Sequence, residues 1–375
     1  MVRFMVQLSE KMRRTLERLL NGLQKGVNVH GVGLFGSWSR GDAEASSDVD
    51  LFILDGRDLG YEYVERLELG GVLVDLDFVP RKWFCVQMPS GLDQKLYEMQ
   101  ILYDRDWLLT NTRLLMTRSY GSPERVSIRT EDHLLNSDIY LSRATSALSR
   151  GDAASAYTFT IMSLDCTLRI LAEIAMEPFS NSHFIERMKR AATALQMSET
   201  FEEYVGICRL NEITEPGIRV KLRLFKAAWE EIRVATEKNL RSIAFSHFKV
   251  RADLNYYLNP AFLLGVITRT NSIIDSGHSI EASHYLSSIF LEIVEDYMSL
   301  RIACGNTEAD YTTPILSLKS LEARNFRTNG HVVDFLSLGS LGKAEATDAI
   351  AKARVIELDV RKNRRVLIKN RLARN

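Results

Sequence analysis

The chain has 375 residues, of which 46% are hydrophobic and 26% charged, a composition typical of globular proteins with room for two or three domains. Its 48 basic and 48 acidic residues give a formal net charge of zero, so overall charge favours neither nucleic acid nor an acidic membrane as partner. No apolar run approaches a membrane span and no secretory signal is visible, so we expect a cytoplasmic protein whose four cysteines are free thiols.

The first part of the chain alternates helical and strand patterns and ends at a break over Tyr120–Pro123. The predicted elements are helices over 9–26, 61–67, 81–86, 92–99 and 107–116 and strands over 29–35, 49–54, 71–79 and 101–103. This order predicts an α/β domain of the α+β type, with a small mixed sheet, over residues 1–120.

Beyond this break, almost all apolar residues recur at helical spacing. Gly151 and Pro178 mark helix ends, and Asp152 can cap the helix between them. The pattern predicts an α-helical bundle over residues 121–305. Residues 306–375 have scattered glycines and a strongly basic end, and we treat them as a C-terminal extension with a basic tail.

Two carboxylates two positions apart, Asp48 and Asp50, stand at the start of the second predicted strand. Side chains at i and i+2 of a strand share a face, so these two acids project together and repel each other. A divalent cation removes that conflict, and Mg²⁺ suits oxygen ligands completed by substrate phosphates. Asp75 and Asp77 repeat the spacing on the third predicted strand, and either can supply a third carboxylate.

A Gly-Ser turn follows the first predicted strand and supplies the complementary half of a nucleotide site. Glycine at Gly36 lets the backbone approach a phosphate closely, and the Ser37 hydroxyl adds a donor. Arg40 lies just beyond and can pair with phosphate in a bidentate way. A Gly-Ser pair alone is usually only a turn, and an Asp-x-Asp pair is usually solvated. Their order along the chain, each after a strand, is what indicates a metal–nucleotide site.

The stretches 34–42 and 47–51 resemble the signature of the DNA polymerase β nucleotidyltransferase superfamily, closest to its minimal and aminoglycoside nucleotidyltransferase branches. The resemblance covers about the first hundred residues. It implies an N-terminal nucleotidyltransferase domain that binds a nucleoside triphosphate, with ATP as the expected nucleotide and two Mg²⁺ ions as cofactors.

The resemblance also implies roles for individual residues. Gly36 and Ser37 are expected to hold the triphosphate, and Asp48 and Asp50 to bind both magnesium ions. Asp75 is expected to be the third carboxylate, which helps to bind one ion and takes a proton from the attacking hydroxyl.

The predicted function is transfer of a nucleoside monophosphate from a magnesium-bound triphosphate to a hydroxyl of a protein or small molecule, with release of pyrophosphate. One alternative is a nucleotide-binding, antitoxin-like regulatory module without turnover. A second is an RNA nucleotidyltransferase, for which the basic tail is the only, weak support. The sequence leaves the acceptor, the base and any homo-oligomer open.

An Arg-x4–6-His motif is typical of helical ribonucleases fused to minimal nucleotidyltransferases. Arg241 with His247, and Arg324 with His331, fit that spacing. Loose Arg and His spacings arise often by chance, so we favour coincidence for both pairs.

Overall fold

The computed structural model describes residues 9–239, 246–304, 310–323, 330–336 and 341–372. By contacts between its residues the chain divides into two units. The first unit comprises Met1–Ser122 and His247–Arg269, and the second comprises Pro123–Ser246 and Thr270–Asn375.

The regular elements are numbered here in chain order. The strands are β1 (Val29–Phe35), β2 (Val49–Asp55), β3 (Tyr63–Leu69), β4 (Val72–Pro80) and β5 (Gln100–Asp104). The described helices are α1 (Glu10–Leu23), α2 (Gly36–Arg40), α3 (Arg81–Cys85), α4 (Asp93–Glu98), α5 (Leu108–Ser119), α6 (Pro123–Ser149), α7 (Ala153–Ala175), α8 (Phe184–Ala194), α9 (Ser198–Ile207), α10 (Glu215–Lys238), α11 (Phe248–Tyr257), α12 (Pro260–Asp275), α13 (Ser279–Ala303), α14 (Pro314–Ala323), α15 (Gly330–Leu336) and α16 (Lys343–Leu372).

The first unit is built on a five-stranded sheet of order β3-β4-β2-β1-β5. β2 and β4 run parallel, and the other neighbouring pairs are antiparallel. Leu16 and Leu20 of α1 join Val32, Leu34 and Leu51 of the sheet in one buried cluster, because the apolar stripe of α1 faces the sheet. The mixed sheet followed by many helices confirms the predicted fold class.

Two predicted helix caps are present. Ser9 Oγ accepts a hydrogen bond from the backbone N–H of Met12 at 3.3 Å, at the start of α1. Asp152 Oδ1 accepts from the N–H of Ser155 at 3.0 Å, at the start of α7. These side chains satisfy amide groups that have no partner within the helix.

The predicted helix over 61–67 is wrong, because this segment forms strand β3. Its residues pair with β4 from Tyr63 opposite Phe78 to Leu69 opposite Val72. A Gly70-Gly71 turn with φ of +61° and +80° closes the hairpin, a conformation that favours glycine. Pairing with β4 gives the β3 backbone its hydrogen-bond partners, so tertiary context outweighs the local pattern.

The second unit is helical, and α6 and α16 both pack against α7. Ile356 and Val360 of α16 lie in the same buried cluster as Leu164 and Leu168 of α7. The basic helix therefore presents an apolar side to the core of this unit, and its charged residues Glu357 and Arg364 are buried as well.

The two units differ from the predicted division of the chain in two places. His247–Arg269, predicted within the helical bundle, belongs to the first unit. The predicted extension over 306–375 contributes α16 to the core of the second unit. Apolar residues spaced along α16 explain the second difference, since they bury best against α7.

Candidate active site

Three acids, which we call the carboxylate cluster, lie at one end of the parallel β2–β4 pair. Asp50 of β2 is the register partner of Asp75 of β4. Asp48 directly precedes β2 and lies two residues from Asp50, on the same side of the chain. The parallel pairing thus brings together the three predicted carboxylates. Asp50 and Asp75, which are paired in register, lie 25 residues apart in sequence.

Arg66 of β3 binds two members of the carboxylate cluster. It is the register partner of Asp75 and donates from Nε to Asp75 Oδ1 at 2.6 Å and from Nη2 to Asp75 Oδ2 at 2.5 Å. The same Nη2 donates to Asp48 Oδ2 at 2.5 Å. One guanidinium therefore holds both oxygens of Asp75 and one oxygen of Asp48, in the bidentate geometry for which arginine is suited.

Residues of α11 and α12 surround the Arg66 side chain. Its guanidinium carbon lies 5.3 Å from the ring centroid of Tyr256 and 5.2 Å from that of Phe262, within cation–π distance. Asn259 Nδ2 donates to the Arg66 carbonyl at 3.1 Å. A Cβ at Gly265 would lie only 2.7 Å from Arg66 Nη1, so glycine makes room for the guanidinium.

The same C-terminal part of the first unit contacts the acids directly. The Tyr256 hydroxyl donates to Asp75 Oδ2 at 2.8 Å. Arg269 Nη2 donates to Asp48 Oδ1. Arg66, Tyr256 and Arg269 were missed by sequence reasoning. Tyr256 and Arg269 lie 181 and 221 residues from the acids they bind, so no local spacing could indicate the contacts.

The three acids have different electrostatic surroundings. Burial acts to raise the pKa of Asp48, but the Arg269 and Arg66 charges outweigh it and hold that pKa below its ordinary value. Burial, with the negative charges of Asp48 and Asp75, raises the pKa of Asp50 well above its ordinary value. Burial also raises the pKa of Asp75, although its hydrogen bonds with Arg66 oppose this. Asp50 is therefore the acid whose charge is least compensated.

Gly36 joins the predicted phosphate turn to the carboxylate cluster. Its φ of +74° lies in the left-handed region, and a Cβ there would be 2.1 Å from Asp50 Oδ2. The position needs glycine for both its backbone conformation and its closeness to the acid. Ser37 follows on the short helix α2, whose second residue it forms.

The first amide of the turn and Arg40 share a carboxylate partner. Glu98 Oε1 accepts from the Gly36 N–H at 2.8 Å and from Arg40 Nη1 at 2.9 Å, and Glu98 Oε2 accepts from Arg40 Nη1 at 2.8 Å. Arg40 also pairs with Asp42 at 3.2 Å. An anion therefore sits where the sequence predicts a phosphate, in keeping with an anion-binding turn. A phosphate-binding role for Gly36, Ser37 and Arg40 stays a prediction.

Asp77, the other candidate for the third carboxylate, has a separate partner. Its register partner in β2 is Phe52 rather than an acid. Lys95 Nζ donates to Asp77 Oδ2 at 2.5 Å and opposes the effect of burial, which still raises the pKa of Asp77. The geometry of β2 and β4 therefore favours Asp75 over Asp77 as the partner of Asp50.

No group of three or more His, Cys, Asp or Glu among residues 9–239, 246–304, 310–323, 330–336 and 341–372 is arranged to hold a metal ion. Arg66 and Arg269 donate hydrogen bonds to oxygens of Asp48 and Asp75. Asp50 forms no side-chain hydrogen bond or ion pair within those ranges. The all-oxygen donor set fits a hard divalent ion such as Mg²⁺, with Asp50 as the available carboxylate.

The remaining predicted motifs are described only in part. Arg241 and Arg324, each the first half of a predicted Arg-His pair, lie outside the described residues. His331 pairs with Glu231 at 2.5 Å in the second unit. In the basic tail, Arg361 of α16 pairs with Asp138 at 2.6 Å, an ordinary intramolecular contact.

The fold and the carboxylate cluster define a class of protein. Residues 16–105 match the family model described as a nucleotidyltransferase domain. This part of the chain is a nucleotidyltransferase domain of the polymerase β type, and the sequence-based prediction of a nucleotidyltransferase enzyme is confirmed.

No curated protein matches the chain. Among solved structures, a nucleotidyltransferase-like protein from Exiguobacterium sibiricum 255-15 is similar at 13% sequence identity. The match covers 71% of this chain and 92% of that chain, with a TM-score of 0.33. A likeness at this TM-score carries no argument about function.

The family assignment states the activity at a general level. Nucleotidyltransferase domains transfer a nucleoside monophosphate group, and their family generally uses a nucleoside triphosphate and a divalent metal. None of the described helices is both long and apolar enough to cross a membrane.

Proposed function

We propose that this chain transfers a nucleoside monophosphate from a magnesium-bound nucleoside triphosphate to a hydroxyl group of a protein or small molecule, releasing pyrophosphate. The observation that carries the proposal is the pairing of Asp50 with Asp75 across β2 and β4, beside the Gly36 turn. ATP is the proposed donor, and the cytoplasm is the proposed location. The four cysteines, which are free, support the location.

The metal half of the site consists of Asp50 with Asp48. These two carboxylates would hold a divalent ion, which when bound supplies Lewis-acid stabilisation of charge on the phosphate oxygens. The uncompensated Asp50 supports this assignment, since a cation would relieve the charge that its neighbours impose. The predicted count of two ions stays a prediction.

The phosphate half consists of the Gly36 and Ser37 donors. The Gly36 N–H, which donates to Glu98 here, would donate to a phosphate oxygen in the loaded enzyme. Arg40 would have to exchange Glu98 for phosphate to act as a ligand, and we keep it in the proposal on that condition.

The acceptor hydroxyl attacks the α-phosphorus of the triphosphate. A new P–O bond forms, the bond from the α-phosphorus to the bridging oxygen breaks, and pyrophosphate leaves with that electron pair. The hydroxyl proton goes to a carboxylate oxygen of Asp75. Its raised pKa, caused first by burial, makes Asp75 a better proton acceptor than an exposed aspartate.

A nucleotide-binding regulator without turnover is the second candidate. The observation that favours it is the set of arginine contacts that hold Asp48 and Asp75. The RNA nucleotidyltransferase alternative rests on the basic tail alone, part of which packs within the chain, since Ile356 of α16 is buried in a core and Arg361 pairs with Asp138.

The test incubates the protein with each of the four α-labelled nucleoside triphosphates, Mg²⁺ and a cell extract, and measures pyrophosphate release and label on any acceptor. We expect magnesium-dependent pyrophosphate release and one labelled acceptor class, both lost when the metal is chelated. Magnesium-dependent nucleotide binding by calorimetry, with no label transferred from any of the four, would instead establish the regulator.

A further inference from the structure

Arg66 occupies the part of the carboxylate cluster where a second metal ion would need its ligands. Both oxygens of Asp75 accept hydrogen bonds from its guanidinium, and the Tyr256 hydroxyl adds a third donor to the same carboxylate. A carboxylate whose oxygens are held by a bidentate arginine has little left to offer a cation. Any ion at Asp75 would also stand beside a fixed positive charge.

The position of Arg66 is built into the first unit. Arg66 is 7% exposed, and it occupies the β3 position that is in register with Asp75. The rings of Tyr256 and Phe262 lie within cation–π distance, and Gly265 leaves the space that the guanidinium fills. A side chain held in this way cannot swing out to solvent without breaking the surrounding contacts.

Arg269 is more exposed than Arg66. Its side chain is 17% exposed, compared with 5% for the side chain of Arg66, and its cluster contact is with Asp48 from α12. The two arginines therefore differ in exposure: Arg66 is buried beside Asp75 and Asp48, and Arg269 is partly exposed beside Asp48.

A count of charges gives the two arginines a role. Three carboxylates with a fully ionised triphosphate carry about seven negative charges, and two divalent ions would cancel four of them. One divalent ion together with Arg66 and Arg269 cancels the same number. The loaded site can therefore reach the same net charge with a single ion.

We propose that Arg66 takes the place of the second divalent ion, so that the site binds one divalent ion, on Asp50 and Asp48, for each bound nucleotide. This inference rests on the proposed function and changes the predicted count of two ions. Arg66 then supplies the positive charge beside Asp75.

The test counts Mn²⁺, which replaces Mg²⁺ and is detected by electron paramagnetic resonance when free. The full chain is titrated with Mn²⁺ in the presence of a saturating triphosphate analogue that cannot be cleaved between its α- and β-phosphates. We expect one bound Mn²⁺ per chain. Two bound ions would overturn the inference and leave the proposed function standing, whereas absence of both nucleotide and Mn²⁺ binding would overturn the proposed function itself.

Two variants assign the effect to Arg66. Arg66→Met keeps a long side chain against the Tyr256 and Phe262 rings but removes the charge, and we expect it to bind a second Mn²⁺. Arg66→Lys keeps the charge and is the matched control, which we expect to bind one. A single ion in a folded Arg66→Met variant would refute the role of Arg66. If that variant does not fold, the wild-type and Arg66→Lys counts still decide between one ion and two.

Discussion

Two buried charge clusters, one in each unit, differ in their balance of charge. The carboxylate cluster has three acids and two arginines, and the pKa of Asp50 is raised well above its ordinary value by burial and its acidic neighbours. In the second unit, Glu173 of α7 meets Arg129 at 2.6 Å and His133 at 3.7 Å, both from α6. Burial acts to raise the pKa of Glu173, but His133 and Arg129 outweigh it and lower that pKa.

The difference separates a site from a structural ion pair. The acid of the Glu173 cluster, which comprises Arg129, His133 and Glu173, is fully compensated by its own chain. In the carboxylate cluster, Asp50 is not fully compensated by positive side chains. Its burial lowers the stability of the fold unless a cation binds. The excess of buried acid in the carboxylate cluster is what we expect of a ligand site, and the closed Glu173 pair is what we expect of packing.

The largest effect is expected from Asp50→Asn. Loss of this carboxylate removes the proposed metal ligand, so turnover should fall by about 10³-fold or more, equivalent to several kcal/mol. Thermal stability of the metal-free protein should hold or rise, because repulsion from Asp48 and Asp75 is relieved. Pyrophosphate release and thermal unfolding measure the two parts.

Asp77→Asn is the matched control for that change. It removes an acid from the same strand as Asp75, but one that pairs with Lys95. We expect lower stability and nearly normal turnover per folded molecule. An active Asp50→Asn variant would remove Asp50 from the site and end the contrast between the two clusters.

A smaller effect, on stability alone, is expected from Glu173→Gln. The change removes the carboxylate that pairs with the buried Arg129, so the free energy of unfolding should fall by about 3–5 kcal/mol. Urea denaturation measures it. Glu186→Gln on α8 breaks two pairs of an exposed carboxylate, with Arg190 and with His183, and should leave the unfolding midpoint nearly unchanged. A neutral Glu173→Gln variant would contradict the structural role of this cluster.

The smallest of the three effects concerns a buried cation. Lys221 of α10 donates to Ser283 Oγ at 3.0 Å and to Ser287 Oγ at 2.5 Å, and burial lowers its pKa to about 8. Because the unfolded chain binds more protons between pH 8 and its ordinary pKa of 10.5, stability should rise with pH across that window.

Lys221→Met should therefore be more stable than the wild type below pH 8, by at most about 3 kcal/mol, and the advantage should vanish near pH 10.5. Urea denaturation across this pH range tests the sign. Lys226→Met, at an exposed position of the same helix, is the control and should show no such trend. A stability difference that does not change with pH would show that burial does not act on the lysine charge.

Local patterns predicted much of the first unit. β1 is observed over the predicted range, because a run of apolar residues bounded by turns is typical of a buried strand. Asp48 and Asp50 could be grouped because their spacing reflects the geometry of strands, whereas Asp75 was preferred to Asp77 only through the family resemblance. Strand β3 could not be predicted, since its charged residues Glu65, Arg66 and Glu68 are not typical of a strand. Its strand conformation depends on pairing with β4.

The surroundings of the acids could not be read from the sequence. Tyr256 and Arg269 reach Asp75 and Asp48 from a distant segment, and only the folded chain determines that contact. Arg66 has no motif of its own, because a strand arginine is usually solvated and its burial depends on Gly265 and two rings. Local sequence patterns therefore did not predict the contacts between distant segments.

Gly36 has a consequence for how this site can change over time. The missing side chain there leaves the space that Asp50 Oδ2 occupies, 2.1 Å from where a Cβ would be. A substitution on the phosphate side of the site would therefore displace an acid on the metal side, although the two belong to different elements. The two halves cannot be inherited or exchanged independently, and a homologue that loses this glycine should be expected to have lost the use of its aspartate as well.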